Sequence, residues 1–478
     1  MYDNYIKEPL ESLIRFVQRD WVWSLILWGM LAGVLVTLAF FSISKRLDPD
    51  EIEHAHTTWL IWQGKEIYID FFQHHHPFLS YMLVPVVNAF GASIETIMVE
   101  RRVMLVLALA ILFVTWLIAK RVFGRREIAV ASVILTATLG SFFMKAIEIR
   151  PDVPQTLAGL LSIYFLLVYY DKKSLKSLVA SSVFLAVSFL FLQKSMILVF
   201  LVGVMLAYDC LKKRVEVKHA ALYGAVFILC IAPYYIYLVL SGSFSMYVMM
   251  NWVLNAHIPQ HFGKQTFILE TVRINVLTFV LFALGVIMLV RSRSYTRFLV
   301  ISLAIPALTF IAFNNIWHQY LLLFMPFVGI TAAYAISSIF SGSRLFRLIL
   351  LLGAIYVPMS TMHNKGLFNS DNSSLPRQLD RIAYVLSETE EGDKVYDGDV
   401  VFNVFRDDID YFWFCMFPDM CLDTYQKLTG YEYDIYELIA EKKPKVISSY
   451  KIDDMSDSRI ADFYIESPVI KGLYLRVD

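Results

Sequence analysis

The chain has 478 residues, of which 58% are hydrophobic and only 18% charged, and its mean hydropathy is +0.57. A composition this apolar is typical of a protein that crosses a membrane several times, and it excludes an ordinary water-soluble enzyme. Lysine plus arginine and aspartate plus glutamate both number 42, so the formal net charge is zero. Because the sequence also lacks a long basic block, it argues against a nucleic-acid partner.

Apolar runs follow one another along most of the chain. The first, at 21–43, follows a short polar start and lacks a small-residue cleavage site, so we expect an uncleaved span. Ten more lie at about 99–122, 128–145, 153–170, 177–194, 195–210, 219–240, 271–291, 296–313, 319–339 and 345–362. The sequence therefore predicts an all-α polytopic membrane protein with about eleven transmembrane helices.

Positive charge is concentrated in alternate connections, and short loops that retain Lys and Arg lie on the cytoplasmic side. This pattern predicts a cytoplasmic segment at 1–20, a membrane domain at 21–363 with a large first outer loop at 44–98, and an outer C-terminal domain at 364–478. The last of these begins with a polar linker and then alternates helical and strand patterns, which predicts a small soluble α/β domain. Cys415 and Cys421 in this domain could pair in an oxidising compartment.

The first outer loop opens with "KRLDPDEIEHAH", in which four carboxylates stand directly after a membrane span. Asp50 can cap a helix with Glu53 three residues on, and we expect that helix to end at Gly64. The apolar piece "PFLSYMLVPVVNAFG" predicts a second, interfacial or re-entrant helix. The carboxylates have two readings: a solvated helix start favoured by the helix dipole, or a general base at the mouth of a lipid-bounded cavity.

Histidines near these carboxylates are candidate metal ligands. E-x-x-H spacing occurs at Glu51/His54 and at Glu53/His56, and three consecutive histidines end at His76. An iron oxidase needs such pairs on two helices together with two more glutamates, which disfavours that class. The sequence predicts no certain cofactor, and it leaves open a divalent ion near Asp50 whose ligands it does not identify.

The loop resembles the first outer loop of the GT-C superfamily, in the branch of the protein mannosyltransferases and bacterial lipid A aminoarabinose transferases (glycosyltransferase family 39-like). The matching positions are Asp50, Glu51, Gly64, Tyr68, Asp70, Phe71, His76, Pro77 and Gly91. Phe78 departs from the pattern, because a second proline often stands there. The resemblance extends less specifically along nearly the whole chain, through "EIRPD", "LQKS", "HQYLLLFMPFV" and the outer tail.

The resemblance implies an integral membrane glycosyltransferase that moves a hexose or pentose from a polyprenyl-phosphate donor to an acceptor hydroxyl, with inversion. An acceptor hydroxyl is a poor nucleophile, so Asp50 is the predicted general base. Glu51 is the second predicted catalytic carboxylate, which either orients a substrate or holds an ion. Cations would stabilise the lipid-phosphate leaving group. The predicted substrate-binding residues are Asp70, His76, Arg102, Glu148, Arg150, Asp152, Lys194, His257, His261 and His318.

The resemblance also implies partners and a location. The partners would be the lipid bilayer, the donor lipid and a glycolipid, polysaccharide or protein acceptor. The location would be a bacterial cytoplasmic (inner) membrane, with the active face and the C-terminal domain extracytoplasmic. The alternative is a transporter or lipid flippase without glycosyl transfer, which would also be helical and carry rare charges near its spans. The clean spans and the concentration of ionisable groups at one face favour the transferase.

Overall fold

The computed structural model describes residues 12, 15–260, 263–365, 374–398, 400–416 and 418–477. Helices account for most of them. In chain order they are α1 (Asp20–Ser44), α2 (Pro49–Trp62), α3 (Phe78–Phe90), α4 (Ile94–Phe123), α5 (Arg126–Thr138), α6 (Gly140–Lys145), α7 (Asp152–Lys172), α8 (Leu175–Phe191), α9 (Met196–Leu211), α10 (Val217–Leu240), α11 (Phe244–Val248), α12 (Asn255–His257), α13 (Lys264–Ile274), α14 (Val276–Ser292), α15 (Thr296–Ala312), α16 (Met325–Ile339), α17 (Arg344–Asn364), α18 (Leu375–Ser387), α19 (Cys421–Thr429) and α20 (Ile435–Lys442).

Six of the described helices are long and apolar enough to cross a membrane: α1, α4, α7, α10 and α17, together with α9 and the short turn before it. The pair α13–α14, bent by 97°, would add a seventh, and α3, α8, α15 and α16 are shorter apolar helices. The structure therefore confirms a multi-pass helical membrane protein. The sequence predicts about eleven spans, and the difference lies in apolar runs that form shorter or divided helices.

The predicted span at about 128–145 is one of the broken runs. It divides at Leu139, whose backbone is extended with ψ 127°, into α5 and α6. The amide of Gly140 after the break donates to Oδ1 of Asn275 at 2.9 Å, and Asn275 stands between the bent helices α13 and α14. Two helix breaks thus share one side-chain hydrogen bond, which satisfies a backbone group that the break leaves unpaired.

Small residues let the central helix α16 approach its neighbours closely. A Cβ added at Gly329 would lie 2.2 Å from Oγ1 of Thr136 on α5. A Cβ added at Gly285 on α14 would lie 2.4 Å from the carbonyl oxygen of Thr331 on α16. Membrane helices gain little from hydrophobicity against lipid, so close packing of this kind holds them together.

The C-terminal domain contains the predicted strands and helices. Its strands are β1 (Lys394–Tyr396), β2 (Asp407–Asp408), β3 (Val446–Ser448), β4 (Tyr464–Glu466) and β5 (Leu473–Arg476), in the order β2-β1-β3-β5-β4. β1 runs parallel to β2 and β3, whereas β5 runs antiparallel to β3 and β4. The expectation of a small α/β unit is confirmed, and a disulfide joins Cys415 to Cys421.

This domain packs directly on the first outer loop. The Phe72 amide donates to the carbonyl of Tyr411 at 2.9 Å, and Trp413 Nε1 donates to the carbonyl of Phe72 at 3.1 Å. On α2, Nε2 of the buried His56 lies 2.7 Å from Oδ2 of Asp408. These contacts hold the loop against the outer domain and thereby fix the position of α2.

Candidate active site at the first outer loop

Helix α2 begins at a capping box. Oδ1 of Asp48 accepts from the Asp50 amide at 3.2 Å, and Oε2 of Glu51 accepts from the Asp48 amide at 2.9 Å. The predicted cap at Asp50 with Glu53 is therefore wrong by two residues. Pro49 explains the shift, because its fixed φ and missing N–H suit the first helical position after a cap.

Glu51 forms a sealed ion pair with Arg101 on α4. Nε and Nη2 of Arg101 lie 2.8 and 2.6 Å from the two carboxylate oxygens, and both side chains are at most 1% exposed. The same guanidinium donates to the carbonyls of Lys45 and Arg46, at the end of α1 and just beyond it. Burial opposes ionisation of Glu51, but Arg101 outweighs it and lowers the pKa of the carboxyl. This pair ties α1, α2 and α4 together.

Asp50, the predicted base, lies on a more open side of α2. Its Oδ2 is 2.5 Å from Nη1 of Arg150, and its side chain is 31% exposed. Asp50 and Glu51 are neighbours in sequence and yet point into different surroundings, since successive helix residues are rotated by about 100°. Of the two predicted catalytic carboxylates, only Asp50 is placed where a substrate could reach it.

Asp50 belongs to a group that we call the outer charge cluster: Lys45, Asp48, Asp50, Lys145, Glu148, Arg150, Asp152 and Lys194. Lys145 Nζ lies 2.9 Å from Oδ2 of Asp48 and 3.0 Å from Glu148, which also pairs with Lys45. Nε of Arg150 lies 3.6 Å from Asp152, and Nζ of Lys194 lies 3.8 Å from it on the other side. The cluster brings together five predicted site residues: Asp50, Glu148, Arg150, Asp152 and Lys194.

The cations of the cluster act on its carboxylates. Burial raises the pKa of Asp48, but Lys145, Arg150 and Lys45 outweigh burial and hold the pKa well below its usual range. The cluster contains four carboxylates and four cations, so it is balanced as it stands. A bound anion could be accommodated if these cations exchange partners.

A narrow cavity adjoins the cluster at Asp152 and Lys194. Its wall also includes Gln155, Thr309, Gln319 and Tyr320, and apolar residues complete it: Leu192, Ile197, Ile305, Phe313 and Leu323. The Lys194 ammonium lies 3.4 Å from the centroid of the Tyr320 ring, a cation–π contact. A cavity with one charged end and an apolar wall suits the phosphate end of a lipid.

Beside the cluster lies a second group, formed by Glu53, His74 and His75. Burial lowers the pKa of His74 to about 3, with Lys194 and Arg150 acting in the same direction. Burial also lowers the pKa of His75 well below its ordinary value and raises that of Glu53. These side chains are held in their neutral forms by their surroundings.

The remaining predicted substrate-binding residues lie outside the cluster. Arg102 is exposed and pairs with Glu95 at 2.6 Å. Asp70 accepts from the Glu66 amide within a turn. His76 is buried, with Nε2 2.9 Å from the Tyr247 hydroxyl and Nδ1 2.9 Å from a carbonyl. Exposed His257 contacts the backbone of its own helix, His318 contacts Ser141, and His261 lies outside the described residues.

The sequence reasoning missed Arg101 and Lys145 as parts of the site. Arg101 and Arg102 both follow Glu100, and the sequence does not show which of the two arginines faces inward. Lys145 stands three residues before Glu148, the spacing of one helical turn, and this was the available signal.

The chain is similar to known proteins in part of its sequence and in its fold. Residues 74–237, about a third of the chain, match the family model described as dolichyl-phosphate-mannose-protein mannosyltransferase. No curated protein matches the chain significantly.

Among solved structures, ArnT from Cupriavidus metallidurans bound to undecaprenyl phosphate matches with a TM-score of 0.57 and 14% identity, over 81% of this chain and 85% of that one. AglB, the archaeal oligosaccharyltransferase of Archaeoglobus fulgidus in complex with an inhibitory peptide and a dolichol-phosphate, matches with a TM-score of 0.54 and 13% identity, over 94% and 74%. At these identities the likeness is one of fold.

Proposed function

Because the chain has the GT-C superfamily fold of the ArnT and protein mannosyltransferase type, as its first outer loop predicted, we propose that it is an integral membrane glycosyltransferase. The donor is a sugar on a polyprenyl phosphate, and the acceptor is a hydroxyl of a glycolipid, polysaccharide or protein. The observation that carries this proposal is the outer charge cluster, in which the partly exposed carboxylate of Asp50 pairs with Arg150 and a narrow cavity adjoins the cluster at Asp152 and Lys194.

Asp50 takes the acceptor proton. As the hydroxyl oxygen forms a bond to the anomeric carbon, its proton passes to the Asp50 carboxylate, and the bond from that carbon to the phosphate oxygen breaks. The electron pair of that bond stays on the polyprenyl phosphate. Attack from the face opposite the phosphate inverts the anomeric centre, as the resemblance implies. Arg150 orients the carboxylate through Oδ2 at 2.5 Å.

Arg150, Lys194 and Lys145 stabilise the departing phosphate. Negative charge grows on the phosphate oxygen as the glycosidic bond breaks, and cations that have exchanged their carboxylate partners for the bound phosphate stabilise that charge. Lys194 is the best placed of the three, because it lies both in the cluster and in the wall of the adjoining cavity. The apolar wall would then accept the first isoprenoid carbons.

Glu51 receives a different role from the one predicted. Its carboxylate accepts two hydrogen bonds from Arg101 and two from backbone amides, Asp48 and Ile149. A fully paired, buried carboxylate has no free oxygen for a substrate proton. We assign Glu51 to holding α2, and through it Asp50, against the membrane domain.

The proposed orientation follows the charge rule, with the cluster and the C-terminal domain on the outer, extracytoplasmic face of a bacterial inner membrane. The donor lipid stays in the bilayer, so a cluster at the end of the spans meets its phosphate where membrane and water join. Lys45, which follows the last residue of α1, lies at this boundary between membrane and water.

The test uses purified protein in liposomes with radiolabelled polyprenyl-phosphate sugars and a membrane extract as the source of acceptors. We expect labelled acceptor and free polyprenyl phosphate to form together, and both to be lost in Asp50→Asn. Glu95→Gln, which changes an exposed carboxylate, is the matched control. If no donor releases polyprenyl phosphate, or if donor crosses the bilayer without being cleaved, the transferase proposal is wrong and a flippase is favoured.

A further inference from the structure

A second constellation lies one helical turn beyond Asp50 and takes no part in the proposed transfer. It comprises Glu53 on α2 and two consecutive histidines of the first outer loop, His74 and His75. A carboxylate oxygen of Glu53, a ring nitrogen of His74 and a ring nitrogen of His75 all lie within 4.8 Å of one another. These are the donor atoms with which proteins bind divalent transition metals.

The donor atoms of this group have no hydrogen-bond partners among the described residues. Oε1 of Glu53 and Nδ1 of both histidines are buried and unpaired, and the whole Glu53 side chain is 1% exposed. Buried polar atoms without partners are rare in folded proteins, because each one costs its lost interaction with water. Each of the three residues has such an atom, and the three residues bring potential ligand atoms within 4.8 Å of one another, which indicates a shared ligand.

The loop holds the two imidazoles in place without using their nitrogens. Oε1 of Gln73 accepts from the amides of His74 and His75 at 2.8 and 3.0 Å, while Nε2 of Gln73 donates to Thr57 on α2 at 2.9 Å. The His74 carbonyl accepts from Gln193 and Asn255. The backbone is therefore fixed from several sides, and the ring atoms remain free to bind.

The disulfide excludes the sulfur atoms of Cys415 and Cys421 as metal ligands. Sγ of Cys415 and Cys421 also lies within 4.8 Å of a His74 ring nitrogen, but the two sulfurs are bonded to each other. A disulfide sulfur is no thiolate and is therefore a poor metal ligand. The carboxylate of Glu53 is the remaining partner for the histidines.

From this geometry we propose that Glu53, His74 and His75 bind a divalent transition-metal ion of the zinc type, at a site separate from Asp50. Two neutral imidazoles and one carboxylate form a donor set typical of zinc sites that leave the fourth position to water or a substrate oxygen. In a tetrahedral site with bonds of about 2.1 Å, neighbouring donor atoms lie about 3.4 Å apart. Each donor atom would therefore move inward by less than about an ångström when the metal binds.

The test measures metal binding directly, so it does not depend on the proposed transferase activity. Untagged wild-type protein is stripped with chelator, loaded with Zn²⁺ or Co²⁺ and analysed for bound metal. We expect one equivalent per chain, a visible Co²⁺ absorption band of a four-coordinate site, and affinity lowered at least about tenfold in Glu53→Gln and His75→Ala. Glu95→Gln is the control and retains wild-type binding.

A spectroscopic readout on the wild type keeps the test decisive if the variants do not fold. Cu²⁺ bound at one equivalent should show nitrogen hyperfine splitting from two imidazoles in its electron paramagnetic resonance spectrum. A wild type that binds substantially less than one equivalent, a copper spectrum without nitrogen coupling, or folded ligand variants that bind as tightly as wild type would each overturn the proposal.

Discussion

Two groups of ion pairs lie side by side at the outer end of the membrane helices, and they differ in access to water. The pair of Glu51 and Arg101 is at most 1% exposed and fully hydrogen-bonded. The outer charge cluster, one residue away at Asp50, includes side chains such as Asp48 and Asp50 that are 28% and 31% exposed. Adjacent carboxylates of one motif therefore have different surroundings, and we propose that one holds the loop while the other faces the substrate.

This difference shows that two neighbouring carboxylates of one motif do not share one environment. A buried and saturated carboxylate stabilises structure only while its partner remains, because removing either one leaves a buried charge unpaired. A partly exposed carboxylate among cations can exchange partners when an anion arrives. The comparison predicts that Asp50→Asn reduces transfer at unchanged stability, whereas Glu51→Gln reduces stability.

The largest effect is expected for Asp50→Asn, which removes the proton acceptor and keeps the size of the side chain. The steady-state transfer rate should fall by about 10²- to 10⁴-fold, the usual contribution of a general base. The melting temperature should stay close to wild type because Asp50 is partly exposed. Radiolabel transfer and thermal unfolding, measured on the same preparation, check both expectations.

Glu51→Gln should mainly lower the free energy of unfolding. Arg101 would remain buried with a neutral partner, and breaking a buried pair in this way costs about 3–5 kcal/mol. Chemical unfolding in detergent measures this loss, with Glu95→Gln at an exposed pair as the control. A Glu51→Gln protein with wild-type stability and no transfer would support the predicted catalytic role of Glu51.

His76 makes the loop sensitive to acid. Burial lowers its pKa to about 4 from the ordinary 6.5, so the unfolded chain binds a proton between these values that the folded chain does not. Stability that is present above pH 6.5 is therefore lost as the pH falls towards 4, by up to about 3 kcal/mol. The dependence of unfolding free energy on pH should be shallower in His76→Gln; identical slopes would contradict this assignment.

Arg102→Gln should have the smallest effect, although the sequence predicted a substrate-binding role for Arg102. Its pair with Glu95 is about half exposed on both sides, and such surface pairs contribute about 0.2–1 kcal/mol. Transfer rates should stay within about twofold of wild type, whereas Arg101→Gln should unfold more easily. A large loss of transfer in Arg102→Gln at unchanged stability would restore the predicted role.

Local patterns predicted most of the helices, because apolar run length is a property of short segments. The residues Asp50, Glu148, Arg150 and Lys194 were named from the resemblance, and the structure brings them together in the outer charge cluster. What local patterns could not show depends on contacts between distant segments. The partner of Glu51 is Arg101, fifty positions away, and the break at Leu139 depends on Asn275. The choice between Arg101 and Arg102 required the rotation of α4, which the surrounding apolar sequence leaves undetermined.

The most direct test of the account is a single-turnover experiment on protein loaded with labelled polyprenyl-phosphate sugar, followed by rapid addition of acceptor. The amount of bound donor should be equal in wild type and Asp50→Asn, because Asp50 contributes to the proton transfer and Lys194 and Arg150 to phosphate binding. The account predicts that the transfer step slows by at least about a hundredfold in Asp50→Asn. Equal single-turnover rates in the two proteins would contradict the assignment of Asp50 as the base.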